Sequence, residues 1–243
     1  MSSFRISLAN ITVEIYPTNV GVARFFKEYL SDAEPMFSVR TSHQEIEITK
    51  QRLALEDKKY GRLFIDYSFE YVEKQTILGK VFDRLPEYGA TMIHGSALSR
   101  AGSGYIFIGP SGVGKSTHTR LWRECFADSV QMINDDKPVI ALRKDSFQLF
   151  GSPWQGKHNI GANISAPLKG IVVLQQGREN AVRRLSQQDA LPHLLQQIYK
   201  PSSSVAVEST LNMIDGILHS VDVYLLSCKP DKEAVSLIHH CLK

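Results

Sequence analysis

Residues 104–117 read GYIFIGPSGVGKST, a short apolar run followed by a glycine-rich turn. The apolar residues Tyr105–Ile108 predict a buried strand. From Gly109 the stretch matches G-x-x-x-x-G-K-[ST] at every constrained position, and Thr117 to about Phe126 predicts a helix. A strand, a glycine-rich turn and a helix in this order indicate a phosphate-binding loop (P-loop), because the loop amides and the helix N-terminus both attract anions.

The residues of this turn predict binding of a nucleoside triphosphate together with magnesium. The glycines let the backbone curl until successive amides face the anion. Lys115 adds a mobile cation for the outer phosphates, and the hydroxyl of Ser116 is suited to Mg²⁺. The predicted nucleotide-binding residues are Gly109, Pro110, Ser111, Gly112, Val113, Gly114, Lys115, Ser116 and Thr117.

Length and composition are those of an ordinary globular protein. The chain has 243 residues, of which 43% are hydrophobic and 22% charged, enough for one large domain or a core with a smaller lobe. A net charge of +3, without a long run of Lys and Arg, argues against nucleic acid as a partner. No uninterrupted apolar run approaches about 18 residues, so we expect no membrane span and no membrane partner.

The cysteines and the N-terminal sequence favour a cytoplasmic location. Cys125, Cys228 and Cys241 are widely spaced and form neither a metal-ligand pattern nor a disulfide framework. The first residues, MSSFRI, lack the apolar run and the cleavage site of a secretory signal. A homo-oligomer is compatible with this sequence.

The first third of the chain predicts a small α+β lobe without a catalytic constellation. Its predicted elements are a strand pair over 4–16, a helix over 20–30, β-like segments over 36–56 and 62–67, and a helix over 70–85. We therefore assign residues 1–88 to an N-terminal α+β lobe, either separate or part of one domain, and residues 89–243 to a P-loop core. The lobe either adds strands to the core or holds a partner.

Two acidic residues end an apolar segment after the P-loop. Val130–Asp136 predicts a short strand that ends in Asp135 and Asp136, and Asp135 lies 20 residues after Lys115. A carboxylate at the end of a strand beside a P-loop is where a Mg²⁺ contact and a general base are expected. Because adjacent strand residues point to opposite faces, the two carboxylates should have different roles.

Two further segments place polar side chains near this site. Thr91–Leu98 predicts a strand beside the P-loop strand, and its His94 is either a hydrogen-bonded structural residue or a catalytic group. In the loop Gly151–Asn159, Lys157 is placed to reach a phosphate. Trp154 either stacks on a base or substrate or anchors the loop.

The remaining segments predict an alternation of strands and helices. The predicted elements are an antiparallel hairpin of Pro138–Leu142 and Phe147–Phe150, a buried strand over 168–175 that pairs with 183–185, helices over 189–199 and 205–219, a strand over 221–227, and a helix over 231–242 with solvated His239 and His240.

These motifs together resemble the catalytic domain of HPr kinase/phosphorylase, whose core is similar to that of phosphoenolpyruvate (PEP) carboxykinase. The resemblance rests on His94-Gly95, the P-loop, Asp135-Asp136 and the hairpin, and it covers about residues 90–175. The loop SPWQGK looks more like HPr-kinase-related proteins of modified-peptide gene clusters, including lasso-peptide kinases. Thr117 stands where HPr kinases usually carry Glu, and residues 1–85 do not look like their N-terminal domain.

The resemblance implies an α/β fold, with a P-loop PEP carboxykinase/HPr kinase-like core that contains a mixed sheet and a β-hairpin, next to the small N-terminal α+β lobe. It implies ATP and Mg²⁺ as cofactors, with Lys115 on the β- and γ-phosphates and Asp135 as the base toward an acceptor hydroxyl. The candidate catalytic residues are Asp135, Lys115, His94 and Lys157, and the candidate metal ligands are Ser116 and Asp136.

Three functions remain open at the level of sequence. The first is a kinase that transfers the γ-phosphate of ATP to a Ser or Thr hydroxyl of a peptide or protein. The second is a kinase for a small molecule such as free serine. The third is a nucleotide-dependent binding module with little transfer activity.

Overall fold

The computed structural model of the protein describes residues 2–59, 61, 65–156 and 158–242. They fall into two units that divide between Leu85 and Pro86. Within these ranges, no helix has both the length and the apolar character that crossing a membrane requires.

The N-terminal unit is built on a three-stranded sheet of order β1-β2-β3. β1 and β2 are antiparallel, and their turn at Ala9 and Asn10 has positive φ at both residues, as a two-residue hairpin turn requires. The strand pair predicted over 4–16 is confirmed. The elements of the unit are β1 (Phe4–Leu8), β2 (Ile11–Tyr16), a 3₁₀ helix (Val20–Tyr29), β3 (Phe37–Arg40), α1 (His43–Lys59) and α2 (Phe69–Arg84).

The β-like interpretation of 36–56 is wrong beyond Arg40, because α1 occupies most of that segment. Ser42 and Glu45 match the S-x-x-E sequence of a capping box, and the Ser42 Oγ accepts from the Glu45 amide at 3.3 Å and donates to the Glu45 carboxylate at 2.8 Å. The apparent alternation is accidental, since Ile46 is buried whereas Ile48 is 58% exposed. In the predicted strand 62–67, residues 62–64 lie outside the described residues, and 65–67 have no regular secondary structure.

The C-terminal unit alternates strands with helices. A 3₁₀ helix (Leu85–Tyr88) precedes it. Its elements are β4 (Ala90–Met92), β5 (Gly95–Arg100), β6 (Ser103–Ile108), α3 (Lys115–Phe126), a 3₁₀ turn (Ala127–Ser129), β7 (Val130–Asn134), β8 (Val139–Arg143), β9 (Ser146–Phe150), β10 (Ser165–Gln176), β11 (Ala181–Arg184), α4 (Gln187–Gln197), α5 (Ser204–Ser220), β12 (Asp222–Cys228) and α6 (Lys232–Cys241).

These strands form one mixed sheet of order β4-β8-β9-β10-β6-β5-β7, with β12 beside β10 and β11 beside β12. β10 is parallel to both β6 and β12, whereas β5 runs antiparallel to its two neighbours. The hairpin of β8 and β9 turns at Lys144 and Asp145, both with positive φ. The predicted α/β fold, with a mixed sheet and a hairpin after the P-loop strand, is confirmed.

Helices cover both faces of this sheet because successive residues of its central strands point to opposite sides. On one face, Ile106 and Ile108 of β6 pack with residues of α4 and α5 such as Leu194 and Ile217. On the other face, Tyr105, Phe107, Val172 and Leu174 pack with Leu121, Trp122, Val235 and Ile238 of α3 and α6.

Three details of this unit differ from the sequence-based expectation. The strand predicted over 91–98 is split into β4 and β5, because the amides of Ile93 and Gly95 donate to the carbonyls of Pro138 and Asp136. β11 pairs with β12 and not with β10, since β6 and β12 already occupy the two edges of β10. His239 is partly buried against the rings of Trp122 and Phe126 instead of being solvated.

Candidate active site

One edge of the sheet of the C-terminal unit collects the predicted site residues. β6 and β10 are parallel, with Ile108 opposite Val173, so the P-loop begins beside the carboxyl end of β10. β5 starts at this edge, because its Gly95 is opposite Ile108. β7 ends here, because its Asn134 is opposite Ala97 of β5. Ligand sites of open α/β sheets lie at the carboxyl ends of their parallel strands.

The P-loop requires glycine at three places. Gly109, Gly112 and Gly114 have φ of +143°, +79° and +112°, a backbone conformation that other residues rarely adopt. At Gly109 a Cβ atom would also lie 3.0 Å from the carbonyl oxygen of Leu174. α3 then begins without a side-chain cap on its first amides. Uncapped amides at a helix N-terminus are a ready site for an anion.

Lys115 folds back over the loop that precedes it. Its Nζ donates to the carbonyl oxygens of Gly109 at 2.9 Å and Pro110 at 3.1 Å. Burial lowers the pKa of Lys115, while the nearby negative charges of Asp136 and Asp135 raise it and so limit the shift.

The Asp135 carboxylate is fixed by a chain of hydroxyl groups. Ser96 Oγ donates to Asp135 Oδ1 at 2.5 Å, and it lies 2.9 Å from Thr119 Oγ1. Both Ser96 and Thr119 are buried. Since Ser96 uses its only hydroxyl proton on Asp135, the Thr119 hydroxyl donates to Ser96 Oγ. The two hydroxyl groups thus tie Asp135 to Thr119 of the P-loop helix.

Asp136 has a different set of partners. His94 Nδ1 lies 3.2 Å from Asp136 Oδ1, and Lys137 Nζ pairs with Oδ2. Burial raises the pKa of Asp136, but the hydrogen bonds and charges of His94 and Lys137 outweigh it and hold the pKa below its ordinary value. Asp136 is therefore a carboxylate at neutral pH, and His94 is hydrogen-bonded to it, a contact that fits both alternatives given for His94.

The sequence analysis expected both carboxylates on the strand, but both lie beyond its end. β7 ends at Asn134, and the amides of Asp136 and Lys137 both donate to Asn134 Oδ1, at 2.8 and 2.7 Å. The Asn134 amide nitrogen donates to the carbonyl oxygen of Ser152 at 3.0 Å. This turn, anchored by the buried Asn134, and not strand alternation, separates the partners of Asp135 from those of Asp136.

Asn134, Ser96 and Thr119 were missed by the sequence analysis. Asn134 immediately precedes the two aspartates, and asparagine favours turns in which its side chain bonds the backbone two residues on. That signal was available in the sequence. The hydroxyl groups of Ser96 and Thr119 carry no such signal, because their pairing depends on the packing of β5 against α3.

The loop after β9 packs on the same turn. A Cβ atom on Gly156, whose φ is +72°, would lie 3.1 Å from Cβ of Asp136. Trp154 is only 4% exposed, which makes it an anchor of the loop and not a surface for stacking. Lys157 lies outside the described residues.

The residues at this edge fit a magnesium ion bound together with phosphates. Magnesium prefers oxygen ligands and usually takes only one or two from the protein. Ser116 supplies an exposed hydroxyl in the first turn of α3, and Asp136 supplies a carboxylate. In the described part of the chain, no group of three or more His, Cys, Asp or Glu side chains could hold an ion unaided.

Comparisons with known proteins find structural similarity but no sequence family. No protein-family model matches the chain, and no curated protein matches it. Among solved structures, the HPr(Ser) kinase/phosphatase from Coxiella burnetii matches with a TM-score of 0.39 and 10% sequence identity. The match covers 62% of this chain and 95% of that one. The chemistry of this chain is argued from its own residues and not from this similarity.

Proposed function

We propose that the protein is a kinase that transfers the γ-phosphoryl group of ATP, bound with magnesium, to a Ser or Thr hydroxyl of a peptide or protein. One observation carries the proposal: the Ser96 hydroxyl hydrogen-bonds both to Asp135 and to Thr119 of the P-loop helix, which holds this carboxylate at the end of the sheet where the P-loop begins. Phosphoryl transfer needs a cation near the transferred group, a carboxylate that accepts the proton of the acceptor, and a carboxylate that binds the metal ion.

Each side chain has a separate task in this reaction. Lys115 and the amides of the P-loop hold the phosphates and offset charge that develops on the γ-phosphoryl group. Asp135, positioned by Ser96, accepts the proton of the acceptor hydroxyl while the new P–O bond forms and the bond to the β-phosphate oxygen breaks. Asp136 and Ser116 would hold the magnesium ion, which neutralises phosphate charge when bound.

The macromolecular acceptor is supported by the architecture of the chain. The N-terminal unit has its own sheet and its own buried residues, and the P-loop and both aspartates belong to the other unit. A second folded unit in the same chain is suited to hold a peptide or protein. Trp154 plays no part in this proposal, because it is buried.

The test is a mass-shift screen of purified protein with ATP and Mg²⁺. The acceptors tested are Ser- and Thr-containing peptides and free amino acids. Buffer without an acceptor and the Asp135→Asn variant are the controls. A phosphoryl gain on peptides that the variant does not produce supports the proposal. Modification of free serine alone overturns the peptide acceptor in favour of a small-molecule kinase. Tight ATP binding without transfer to any acceptor overturns the kinase assignment.

A further inference from the structure

A cavity of about 490 Å³ adjoins the P-loop on the side away from the carboxylates. One wall is the first half of the loop, Pro110–Val113. The opposite wall is the carboxyl end of β10 together with Leu225 of β12, and His193 and Gln196 of α4 complete the lining. Asp135 and Asp136 follow β7, which lies on the other side of β6 in the sheet. The P-loop therefore separates this cavity from the catalytic carboxylates.

The lining of the cavity is neutral and mixed in character. Val113, Leu174 and Leu225 provide apolar surface, and Gln175, Gln176 and Gln196 provide amide groups. Of the described residues that line it, none is Asp, Glu, Lys or Arg. Its volume lies within the range of small-ligand sites, which is roughly 300–1,000 Å³. Such a lining suits an uncharged ring system with polar edges, because each amide can both donate and accept hydrogen bonds.

The cavity is joined directly to the phosphate-binding backbone. Gln176 Nε2 donates to the carbonyl oxygen of Gly112 at 3.5 Å. The backbone of Gly109 also approaches Leu174 so closely that a Cβ atom would lie 3.0 Å from the Leu174 carbonyl oxygen. Because residues 110–113 of the loop themselves line the cavity, a ligand whose phosphates occupy the P-loop can extend into it.

We propose that this cavity binds the nucleoside part of the nucleotide, so that the base and ribose lie between the P-loop and α4. This inference rests on the proposed function. The phosphoryl group that is transferred must lie near Asp135, which follows β7 and is hydrogen-bonded to Ser96 of β5. The uncharged end of the same molecule then lies on the opposite side, where the lining is neutral.

The test compares binding of ATP with binding of inorganic tripolyphosphate, which has the phosphates but no nucleoside. Gln196→Trp places a large side chain at an exposed position of the lining. We expect it to raise the Kd for ATP by about tenfold or more and to leave the Kd for tripolyphosphate unchanged. His193→Ala removes a wall residue without adding bulk and should raise the Kd for ATP by a smaller factor. The matched control is Gln188→Trp, an exposed position of the same helix that does not line the cavity.

The outcomes separate this inference from the proposed function. Equal affinity of the wild-type protein for ATP and tripolyphosphate overturns the nucleoside site but leaves a phosphate-binding kinase intact. An equal loss of affinity for ATP and for tripolyphosphate in Gln196→Trp also overturns the nucleoside site. Unchanged ATP binding with a raised KM for a peptide acceptor overturns it as well, and would make the cavity the acceptor site. Failure of the wild-type protein to bind either ligand defeats the proposed function itself, and the nucleoside site with it.

Discussion

Ser96 Oγ donates a hydrogen bond of 2.5 Å to Oδ1 of Asp135, and Ser96 has no exposed surface. Its strand, β5, begins directly after His94, the residue that contacts Asp136. The amino end of β5 therefore orients both carboxylates. It does so through His94 and Ser96, which are separated by a single residue in the sequence. Ser96 acts through Asp135 and is a positioning residue.

Ser96→Ala should slow phosphoryl transfer about tenfold, because Asp135 loses the donor that orients it. We expect the Kd for ATP to stay within about twofold of wild type, since Ser96 contacts no residue of the loop 109–114. Single-turnover transfer and nucleotide titration measure the two quantities. Ser99→Ala, on the same strand, is the control. A parallel loss of binding and transfer would mean that Ser96 only supports the fold.

Lys115→Ala should lower turnover by about two to three orders of magnitude, because a preorganised charge on the transferring group is lost. Its hydrogen bonds go only to the carbonyls of Gly109 and Pro110, so thermal unfolding should change little. Lys169→Ala removes an exposed lysine of β10 and serves as the control. Turnover at the wild-type level in Lys115→Ala would remove the P-loop lysine from the mechanism.

Asp135→Asn and Asp136→Asn should have different effects, because the two carboxylates have different partners. Asparagine keeps the size of the side chain and removes its charge. We expect Asp135→Asn to abolish transfer and to spare the affinity for the magnesium nucleotide. Asp136→Asn should raise the magnesium concentration needed for half-maximal activity.

Magnesium titrations of activity and of nucleotide binding distinguish these two aspartates. If both variants showed the same modest loss in both assays, the assignment of base and metal ligand would be wrong.

His118 should make the protein less stable as the pH falls from about 6.5 toward 4. Its Nε2 accepts a hydrogen bond from Trp122 Nε1, and burial lowers its pKa to about 4 from the ordinary histidine value of 6.5. Between these values the unfolded chain binds a proton that the folded chain does not, so acid favours unfolding by up to about 3 kcal/mol. His118→Gln keeps an acceptor for Trp122 and should flatten this part of the curve.

Denaturant unfolding at a series of pH values between 4 and 7 measures the effect of His118. His240→Gln, at an exposed position of α6, should keep the wild-type pH dependence. A His118→Gln curve parallel to that of the wild type would show that His118 does not titrate in this window.

Trp154→Ala should act on stability and not on the affinity for an acceptor. Because Trp154 is almost fully buried, its truncation should cost about 3–5 kcal/mol in the free energy of unfolding. The check is denaturant unfolding beside the acceptor KM at a temperature where the variant is folded. A raised KM with unchanged stability would instead indicate that Trp154 contacts the substrate.

The parts of the fold and site that the sequence predicts are those that a few neighbouring residues encode. The P-loop follows from glycines whose φ values other residues avoid, and the hairpin follows from the turn at Lys144 and Asp145. Helix α1 was missed because the spacing of Ile46 and Ile48 suggested a strand while the capping-box sequence of Ser42 and Glu45 was overlooked. The contacts of Asp135 with Ser96 and of Asp136 with His94 join residues about 40 positions apart, and no local pattern specifies such pairings.

Because β5 runs antiparallel to its two neighbours, phosphate binding and the proposed chemical step depend on different parts of the C-terminal unit. In the proposed kinase, binding of phosphates is encoded within 14 consecutive residues, 104–117, and needs little more than one strand, one turn and the start of one helix. The proposed chemical step depends on the pairing of β5 with β7, which brings Ser96 and His94 to the aspartates. Loosening of that pairing, by mutation or by partial unfolding, would thus leave the proposed kinase able to bind the nucleotide but unable to transfer its phosphate. Loss of phosphoryl transfer with retained affinity for the nucleotide is therefore the first functional defect expected when this pairing weakens.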